Sequence, residues 1–293
     1  MAGPGESTLR EEATSQRMTE EGPTAVDMHF HTNHSDSPTS VRSALKLARK
    51  RGMGLAITDH NTISGAEEAL RDGKGVLVVP GMEVSAADGP HILLYFYDRG
   101  SMREYYERHV APFKRKSPYL AITLDSWDIV RRAAGYNCVR VAAHPYGYLL
   151  FNKGLQKCIE AHYLEQEILE WFDGVEVLCG GMTKALNDRA GDLAERFRKG
   201  RTGGTDGHLL MELGKVVTVG PSPDLEGFLE DVVELRTRAL GTEKGPLQKG
   251  LMGTVVAAKY VRYTVPSMRI HYEQNAPRVA RYCRRLVSRR KRS

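Results

Sequence analysis

The sequence His29-Phe30-His31 places two imidazole side chains two residues apart at the end of a short apolar run. Successive side chains of a β-strand point to opposite faces, so residues i and i+2 share a face. A strand through this stretch therefore turns both histidines to one side, where they can converge on one metal ion. The same spacing recurs in Asp206-Gly207-His208, and two such pairs on one chain indicate a metal site.

Short apolar runs alternate with segments of helical spacing along the chain. The runs are Leu55 to Ile57, Val76 to Val79, Ile92 to Phe96, Val139 to Ala143 and Val175 to Leu178. The first, second and fourth lead into Asp59-His60, Glu83 and His144. Alternation of strand and helix favours a parallel sheet, and functional residues at the carboxyl ends of strands are typical of a TIM-like barrel. We therefore expect an α/β fold of this kind.

Four segments with helical spacing each end at a glycine, a common stop signal. They are Ser40 to Arg51, Ser126 to Ala134, Thr183 to Lys199 and Leu225 to Leu240. The segment Arg99 to Tyr119 contains two prolines and fits no single period, so we interpret it as an insertion of loop and helix. Such loops often shape substrate pockets.

Length and composition allow one barrel-sized core, since the chain has 293 residues and is 41% hydrophobic. Its four cysteines are widely separated and form no CxxC pair. The pattern therefore indicates neither a disulfide framework nor a thiolate zinc knuckle, and it favours a reducing cytoplasm. Residues 1–24 lack an apolar stretch and are predicted to be a disordered leader rather than a signal peptide. No apolar run reaches the ~20 residues that cross a bilayer.

The net charge of +6 comes from the end of the chain. From Gln274 onward there are eight basic residues and no acidic one, which leaves the rest of the chain at −2. Within this end, the residues Val279, Tyr282, Leu286 and Val287 are spaced like the apolar side of a helix. Residues 278–292 therefore contact nucleic acid, contact an anionic membrane surface, or pack on the barrel as a final helix.

Five motifs follow one another along the chain: Asp27-Met28-His29-Phe30-His31-Thr32 with Ser35-Asp36, Thr58-Asp59-His60-Asn61, Gly81-Met82-Glu83, His144-Pro145, and Gly203-Gly204-Thr205-Asp206-Gly207-His208. In this order they resemble the PHP superfamily, the polymerase and histidinol phosphatase group of metal-dependent phosphoesterases. The resemblance covers roughly Val26 to Gly220. It implies a distorted TIM-like (β/α)7 barrel, which we expect over residues 25–240. The sequence pattern predicts a linker and a basic helical extension over 241–293.

The resemblance also implies two or three divalent ions, Zn, Mn or Fe, at the carboxyl ends of the strands. Their ligands would be His29, His31, Glu83 and Asp206 for the first ion, Glu83, His144 and His91 for the second, and Asp36, His60 and His208 for a third ion present in some relatives. Glu83 thus bridges two ions. His91 has a second interpretation, as a residue that caps its strand. Catalysis would depend on His29, His31, Glu83, His144, Asp206 and His208.

Two ions ~3.5 to 4 Å apart can lower the pKa of a bound water so that it forms a hydroxide, and they can stabilise the negative charge on phosphoryl oxygens. Mixed imidazole and carboxylate ligands suit Zn, Mn or Fe better than Mg. The expected function is hydrolysis of a phosphate monoester, on a small metabolite or a nucleotide, by a metal-bound hydroxide. Two alternatives stay open: a phosphodiesterase or nuclease that acts on nucleic acid, and a metal-bound regulatory domain without turnover.

Several polar residues near the motifs have supporting or undecided roles. Asp27 and Asp59 are expected to orient ligating histidines, and Glu176 is a candidate for support of the site. His34 is expected to point into solvent. The cation that would bind phosphate is not assigned, and the conceivable residues are Arg42, Arg140 and Lys184.

Overall fold

The computed structural model describes residues 23–147 and 153–276. The predicted leader lies almost wholly outside these ranges, although its last residue, Thr24, begins the first strand. The predicted basic helix over 278–292 also lies outside the described residues. No helix within them is long and apolar enough to cross a membrane.

The described residues form ten strands in two five-stranded sheets. The strands are β1 (Thr24–Phe30), β2 (Gly54–Ile57), β3 (Val78–Val79), β4 (Gly81–Ser85), β5 (His91–Phe96), β6 (Cys138–Ala142), β7 (Gly174–Cys179), β8 (Gly200–Gly204), β9 (Val216–Gly220) and β10 (Arg238–Gly241). One sheet has the order β10-β9-β1-β2-β3 and the other has the order β4-β5-β6-β7-β8. The five apolar runs of the sequence contribute to β2, β3, β5, β6 and β7.

The predicted α/β class is confirmed, but the closed TIM-like (β/α)7 barrel is not. The pairs β4–β5 and β5–β6 are antiparallel, and so are β1–β9 and β9–β10. The other four pairs, β1–β2, β2–β3, β6–β7 and β7–β8, are parallel. The reason is local in the first case: the short turn 86–90 reverses the chain after β4, where a parallel pair would need a long crossover. The two sheets remain separate and approach each other at isolated bridges, Phe30 to Gly207 and His60 to Glu83.

Helices cover the sheets on the outside. They are α1 (Val41–Arg51), α2 (Ser64–Asp72), α3 (Arg99–His109), α4 (Ser126–Ala133), α5 (Leu155–Glu160), α6 (Lys184–Arg196), α7 (Leu225–Val233), α8 (Pro246–Tyr260) and α9 (264–276). Three of the four predicted helices match α1, α4 and α6. The helix predicted over Leu225 to Leu240 ends at Val233 instead, because residues 238–241 pair with β9 as an edge strand. The segment predicted as an insertion begins with α3.

Helix α1 illustrates the local signals that set these boundaries. The Ser40 hydroxyl accepts a hydrogen bond from the N–H of Ser43 and so caps the first turn. Gly52 ends the helix with a φ of 60°, a left-handed conformation that glycine adopts without strain. Between these caps the apolar side of the helix is buried against the sheet.

Candidate metal centre

All nine predicted ligands lie at one end of the two sheets, where the isolated bridges bring the sheets together. His29 lies in β1 and His31 directly after it, while Glu83 lies in β4 and His91 begins β5. The remaining candidates follow strand ends; they are Asp36, His60, His144, Asp206 and His208. Each of the nine is buried, with no more than 7% of its surface exposed. The sequence motifs therefore converge, although the sheets are not a closed barrel.

The carboxylate of Glu83 lies at the centre of the cluster. Its Oε1 atom is 2.9 Å from Nδ1 of His91 and 3.2 Å from Nε2 of His144. Oε1 is also 3.5 Å from Nε2 of His29, and the other oxygen, Oε2, is 2.7 Å from Nδ1 of His60. Both oxygens thus face imidazoles from different strands, which is the arrangement that a bridging carboxylate needs.

The first donor group consists of His29, His31 and Asp206, whose ligand atoms all lie within 4.8 Å of one another. The two Nε2 atoms of His29 and His31 are 3.2 Å apart. Oδ1 of Asp206 lies 3.3 Å from the Nε2 atom of His31 and 3.6 Å from that of His29. The i, i+2 spacing therefore brings both imidazoles to one point, as the sequence predicted.

A second donor group consists of Asp36, His60 and His208 together with His31. Asp36 Oδ1 is 3.2 Å from Nε2 of His208, and Oδ2 is 3.5 Å from Nε2 of His60. Nδ1 of His31 lies 4.0 Å from Asp36 Oδ1. The resemblance implied this group without His31, which the structure adds.

The third donor group consists of His60, Glu83 and His91. His144 approaches the same Glu83 oxygen as His91, from the end of β6. The ring of His91 points towards Glu83, while its backbone N–H donates to the carbonyl of Lys153. This position fits the ligand interpretation of His91 better than the capping interpretation.

Two buried ring nitrogens of the cluster, Nδ1 of His31 and Nε2 of His91, have no hydrogen-bond partner among the described residues. A buried polar atom without a partner costs about 1 to 3 kcal/mol. A bound cation would remove that cost at each nitrogen. The mixed set of imidazoles and carboxylates suits Zn, Mn or Fe, so the residues fit divalent ions of this class.

The carboxylates of the cluster are ionised. Burial raises the pKa of Asp36, but the imidazoles of His208 and His60 outweigh it and hold that pKa well below its usual range. Burial likewise raises the pKa of Glu83 and of Asp206, and the histidines around them again hold both pKa values well below the usual range. Ionised carboxylates are the form that binds metal ions.

The histidines of the cluster divide into two kinds. Burial lowers the pKa of His31 to about 4 and that of His91 to about 3, which keeps both rings neutral and able to bind metal. At His60, burial also lowers the pKa, but the carboxylates of Glu83 and Asp36 outweigh it and raise the pKa to about 10. The two carboxylates around His60 thus favour the protonated, positively charged form of its ring.

Glu176 belongs to none of the three donor groups but contacts two residues of the cluster, His29 and His144. Its Oε1 atom is 2.9 Å from Nδ1 of His29, and its Oε2 atom accepts the backbone N–H of His144 at 2.7 Å. A carboxylate on the far nitrogen of an imidazole fixes the orientation of the ring and its tautomer. Glu176 therefore lies where a supporting residue was predicted.

Asp27 and Asp59 act on the backbone rather than on imidazole rings. Asp27 accepts the backbone N–H groups of His29, Thr205 and Gly214, and thereby ties β1 to the loop after β8. Asp59 accepts the N–H and hydroxyl of Thr32 at 2.7 and 2.6 Å. Asp27 therefore holds the candidate ligand His29 through its main chain rather than through its ring, and Asp59 holds the loop after β1.

His34 lies at the edge of the cluster and not in open solvent. Its ring contacts the hydroxyl of Ser64 and the carboxylate of Glu68, each at 2.9 Å. Of the three basic residues considered for phosphate binding, two form ion pairs with aspartates and the third is exposed. Arg140 pairs with Asp173, Lys184 pairs with Asp188, and Arg42 is exposed.

Lys244 is a buried residue of the site that sequence analysis missed. Its Nζ donates to the backbone carbonyl of Asp206 at 2.7 Å and lies 3.3 Å from Oε1 of Glu212. The other oxygen of Glu212 accepts the backbone N–H of His208 at 2.8 Å. Lys244 lies in the segment interpreted as a linker, which carries no motif, so no sequence signal indicated this contact.

The two C-terminal helices cover the rim of the cluster. The hydroxyl of Tyr260 donates to the carbonyl of Tyr119 at 3.3 Å. In α9, the hydroxyls of Ser267 and Ser117 are 2.9 Å apart, and Gln274 donates to the carbonyl of Ala86. Burial raises the pKa of the Tyr260 hydroxyl well above its usual range, and the nearby carboxylates of the cluster add to it.

Comparison with known proteins gives a consistent assignment. A family model described as PHP domain matches residues 27–205, and a second model, PHP-associated, matches residues 184–237. The chain is 42% identical over 65 residues to phosphoribosyl 1,2-cyclic phosphate 1,2-diphosphodiesterase of Eggerthella lenta, a match that covers 21% of this chain and 25% of that protein. The chain spans 49% and 25% of the lengths of two curated relatives that it matches.

Two solved structures share the fold at low sequence identity. A structure from Bifidobacterium adolescentis that is named as a metal-dependent phosphoesterase is 20% identical with a TM-score of 0.50, and the match covers 72% of this chain and 96% of that chain. The lesion-specific endonuclease Q of Pyrococcus furiosus is 16% identical with a TM-score of 0.58 and covers 73% and 56%. The PHP domain model spans more than half of the sequence, and the chain therefore belongs to the PHP domain family.

Proposed function

We propose that the protein is a metal-dependent phosphoesterase that hydrolyses the phosphate monoester of a small metabolite or a nucleotide. The observation that carries this proposal is the position of Glu83, whose two oxygens face imidazoles from four different segments of the chain. Divalent ions held there would polarise a phosphoryl oxygen and lower the pKa of a water molecule. The proposed catalytic residues are His29, His31, Glu83, His144, Asp206 and His208.

The protein's own residues prepare the site for this chemistry. Neutral His31 and His91 present ring nitrogens, while the ionised carboxylates of Glu83 and Asp206 supply the negative charge that holds cations. Glu176 fixes the ring of His29. Because these side chains are buried and held by neighbours, little reorganisation is needed when substrate binds.

The covered rim favours a small substrate. Helices α8 and α9 contact the segment 117–121 through Tyr260, Ser267 and Ile270. A duplex nucleic acid needs an open groove, whereas a metabolite needs an enclosed pocket. The contacts between these helices and the rim support the second geometry.

We also retain the expectation of a cytoplasmic protein, which rests on the cysteine pattern.

A nuclease is the second candidate, and two observations favour it. The fold resembles that of endonuclease Q, and a structure of that enzyme with a 27-mer duplex carrying an abasic lesion has a TM-score of 0.59 to this chain. The end of the chain is also strongly basic, as expected for contacts with phosphate groups. A regulatory domain without turnover is the third candidate.

One experiment separates the three candidates. The full chain is stripped of metal with a chelator, reloaded with Mn, Zn or Fe, and tested on an aryl phosphate monoester, an aryl phosphodiester and a duplex with an abasic site. We expect hydrolysis of the monoester, reduced at least about a hundredfold by Glu83→Gln. Glu195→Gln, which makes the same change at an exposed position, serves as the control.

The other outcomes each overturn the proposal in a defined way. Preference for the diester or the duplex favours the nuclease. Tight metal binding without hydrolysis of any substrate favours the regulatory domain. Equal hydrolysis by the wild type and by Glu83→Gln excludes the cluster as the site of the reaction.

A further inference from the structure

We propose that helices α8 and α9 form a docking surface for a lipid bilayer with anionic headgroups. The starting observation is a stripe of apolar side chains, called here the C-terminal stripe, in which each member is between 52% and 87% exposed. Its members are Leu247, Leu251, Val261, Val265, Met268 and Tyr272. Exposed apolar patches of this kind mark interaction sites.

The spacing places the C-terminal stripe on one side of a nearly continuous helix. Helix α8 passes through a single 3₁₀ turn, Val261–Tyr263, into α9. The members follow steps of three and four residues, and the exposed Thr254 and Ala258 continue the same steps between Leu251 and Val261. Steps of three and four residues line one face of a helix. The stripe therefore runs along the full length of both helices.

The body of the protein lies on the side of α9 opposite to this stripe, and it contacts α8 at Tyr260, which is not a member of the stripe. Ser267, Ile270 and Gln274 are buried, and they contact the segment 117–121 and the carbonyl of Ala86. These residues alternate along α9 with the exposed members of the stripe. One face of the helix pair thus holds it on the rim of the site, and the other faces outward.

Charge identifies the kind of partner. From Pro246 to the end of the chain there are twelve Lys or Arg residues and one acidic residue, Glu273. Arg262 is exposed next to the stripe, and so is Arg269, which forms an ion pair with Glu273. Two copies joined along the stripe would bring two strongly basic segments together, and like charges repel. An anionic surface neutralises this positive charge instead.

A bilayer satisfies both features, whereas nucleic acid satisfies only one. An interfacial helix inserts its apolar side into the boundary between headgroups and acyl chains, and its Lys and Arg side chains contact anionic lipids. A polyphosphate backbone would neutralise the arginines but would leave six large apolar side chains in water. Because the apolar residues line one side of the helices, the proposed contact lies parallel to the bilayer plane.

The test uses the full chain and vesicle flotation. Vesicles of phosphatidylcholine alone are compared with vesicles that also contain phosphatidylserine. We expect binding to the anionic vesicles, weakened by salt, and an affinity at least about tenfold lower in Val265→Asp, because this variant places a charge in the inserted face. Val233→Asp adds the same charge at an exposed apolar residue of α7 and should bind like the wild type.

Further variants check that the effect of Val265→Asp comes from the apolar face of the helices. Val265→Ser removes apolar surface without adding a charge and should also weaken vesicle binding. Circular dichroism is expected to be unchanged, since Val265 is 77% exposed; Leu247→Asp, at an 87% exposed position, repeats the test if Val265→Asp fails to fold.

Three results would overturn the proposal. The first is equal vesicle binding by Val265→Asp and the wild type, which would assign binding to the basic end alone. The second is a dimer in light scattering that Val265→Asp dissociates while vesicles are not bound. The third is binding to an oligonucleotide in preference to anionic vesicles.

Discussion

The carboxylate of Glu176 lies 2.9 Å from Nδ1 of His29, on the side of the ring that faces away from the donor groups. We expect Glu176→Gln to lower metal affinity by about 10- to 100-fold. The amide keeps the size of the side chain but loses its negative charge, and it cannot accept from both His29 and the backbone N–H of His144.

Competition of the metal-loaded protein with a chelator measures this loss. Far-UV circular dichroism should not change. Glu195→Gln, on an exposed residue, should retain the affinity of the wild type, and an equal loss in this control would mean that a general charge effect is responsible.

The second donor group is expected to hold an ion that can be removed without loss of the ion in the first group. Asp36→Ala removes the only carboxylate of the group formed with His31, His60 and His208, so we expect one bound ion fewer per chain while the group with Asp206 keeps its ion. Elemental analysis of protein dialysed against defined metal measures the ratio. An unchanged ratio would mean that the second group holds no ion.

Lys244 is expected to position Asp206 through the backbone carbonyl that it binds. Lys244→Met should lower kcat by about tenfold or more and change KM little, because the ligand shifts while the substrate contacts remain. The substitution also leaves the buried carboxylate of Glu212 without its cation, which is costly.

A double variant distinguishes positioning from loss of stability. Lys244→Met combined with Glu212→Gln should recover thermal stability but not kcat. Recovery of both would assign Lys244 a purely structural role.

Gly204, the last residue of β8, is expected to tolerate no side chain. A Cβ atom there would lie 2.3 Å from Cβ of His29 and 2.5 Å from its backbone nitrogen, so β1 would have to move. We expect Gly204→Ala to lower the free energy of unfolding by about 1 to 3 kcal/mol and to weaken metal binding.

Gly191 in α6 provides the matched comparison. A Cβ atom there meets nothing within 4 Å, and alanine in a helix is more stable than glycine by about 1 kcal/mol. Gly191→Ala should therefore raise the unfolding free energy. Urea titration measures both variants, and a loss of the same size in both would contradict the steric argument.

Asp88 is expected to make stability depend on pH. Burial raises the pKa of its carboxyl to about 6, although Ser126 donates to it through its N–H and its hydroxyl. The folded pKa exceeds the unfolded one, so the native state binds more protons and the contribution of Asp88 to stability rises as the pH falls from about 6 to 4.

The variant Asp88→Asn keeps the acceptor and removes this titration. At neutral pH it should be more stable than the wild type by up to about 3 kcal/mol, and the difference should disappear below about pH 4. Urea titrations at several pH values measure it. A difference that is constant with pH would exclude Asp88 as the titrating group.

The sequence predicted that the residues of the site converge because all but His91 belong to short motifs that lie in a strand or directly after one. The spacing of His29 and His31 alone fixes their shared side. The grouping of His31 with Asp36 could not be predicted, because it depends on how the loop after β1 is held by Asp59. The contact between Lys244 and Asp206 joins segments 38 residues apart, and no local pattern records it.

The fold was predicted less completely than the site. Apolar runs located the strands, but they do not encode direction, and the turn between β4 and β5 reverses the chain where a crossover was expected. The segment 238–241 carries a helical pattern continuous with α7, yet it pairs with β9. Pairing at a sheet edge outweighed the local helical preference there.

His31 faces Asp206 with one ring nitrogen and Asp36 with the other. A neutral imidazole has one lone pair in its ring plane, because its second nitrogen carries the proton. The ring can therefore serve one of the two donor groups at a time, and the location of a single proton decides which. Filling of the first and second groups is thereby coupled through the tautomer of one side chain.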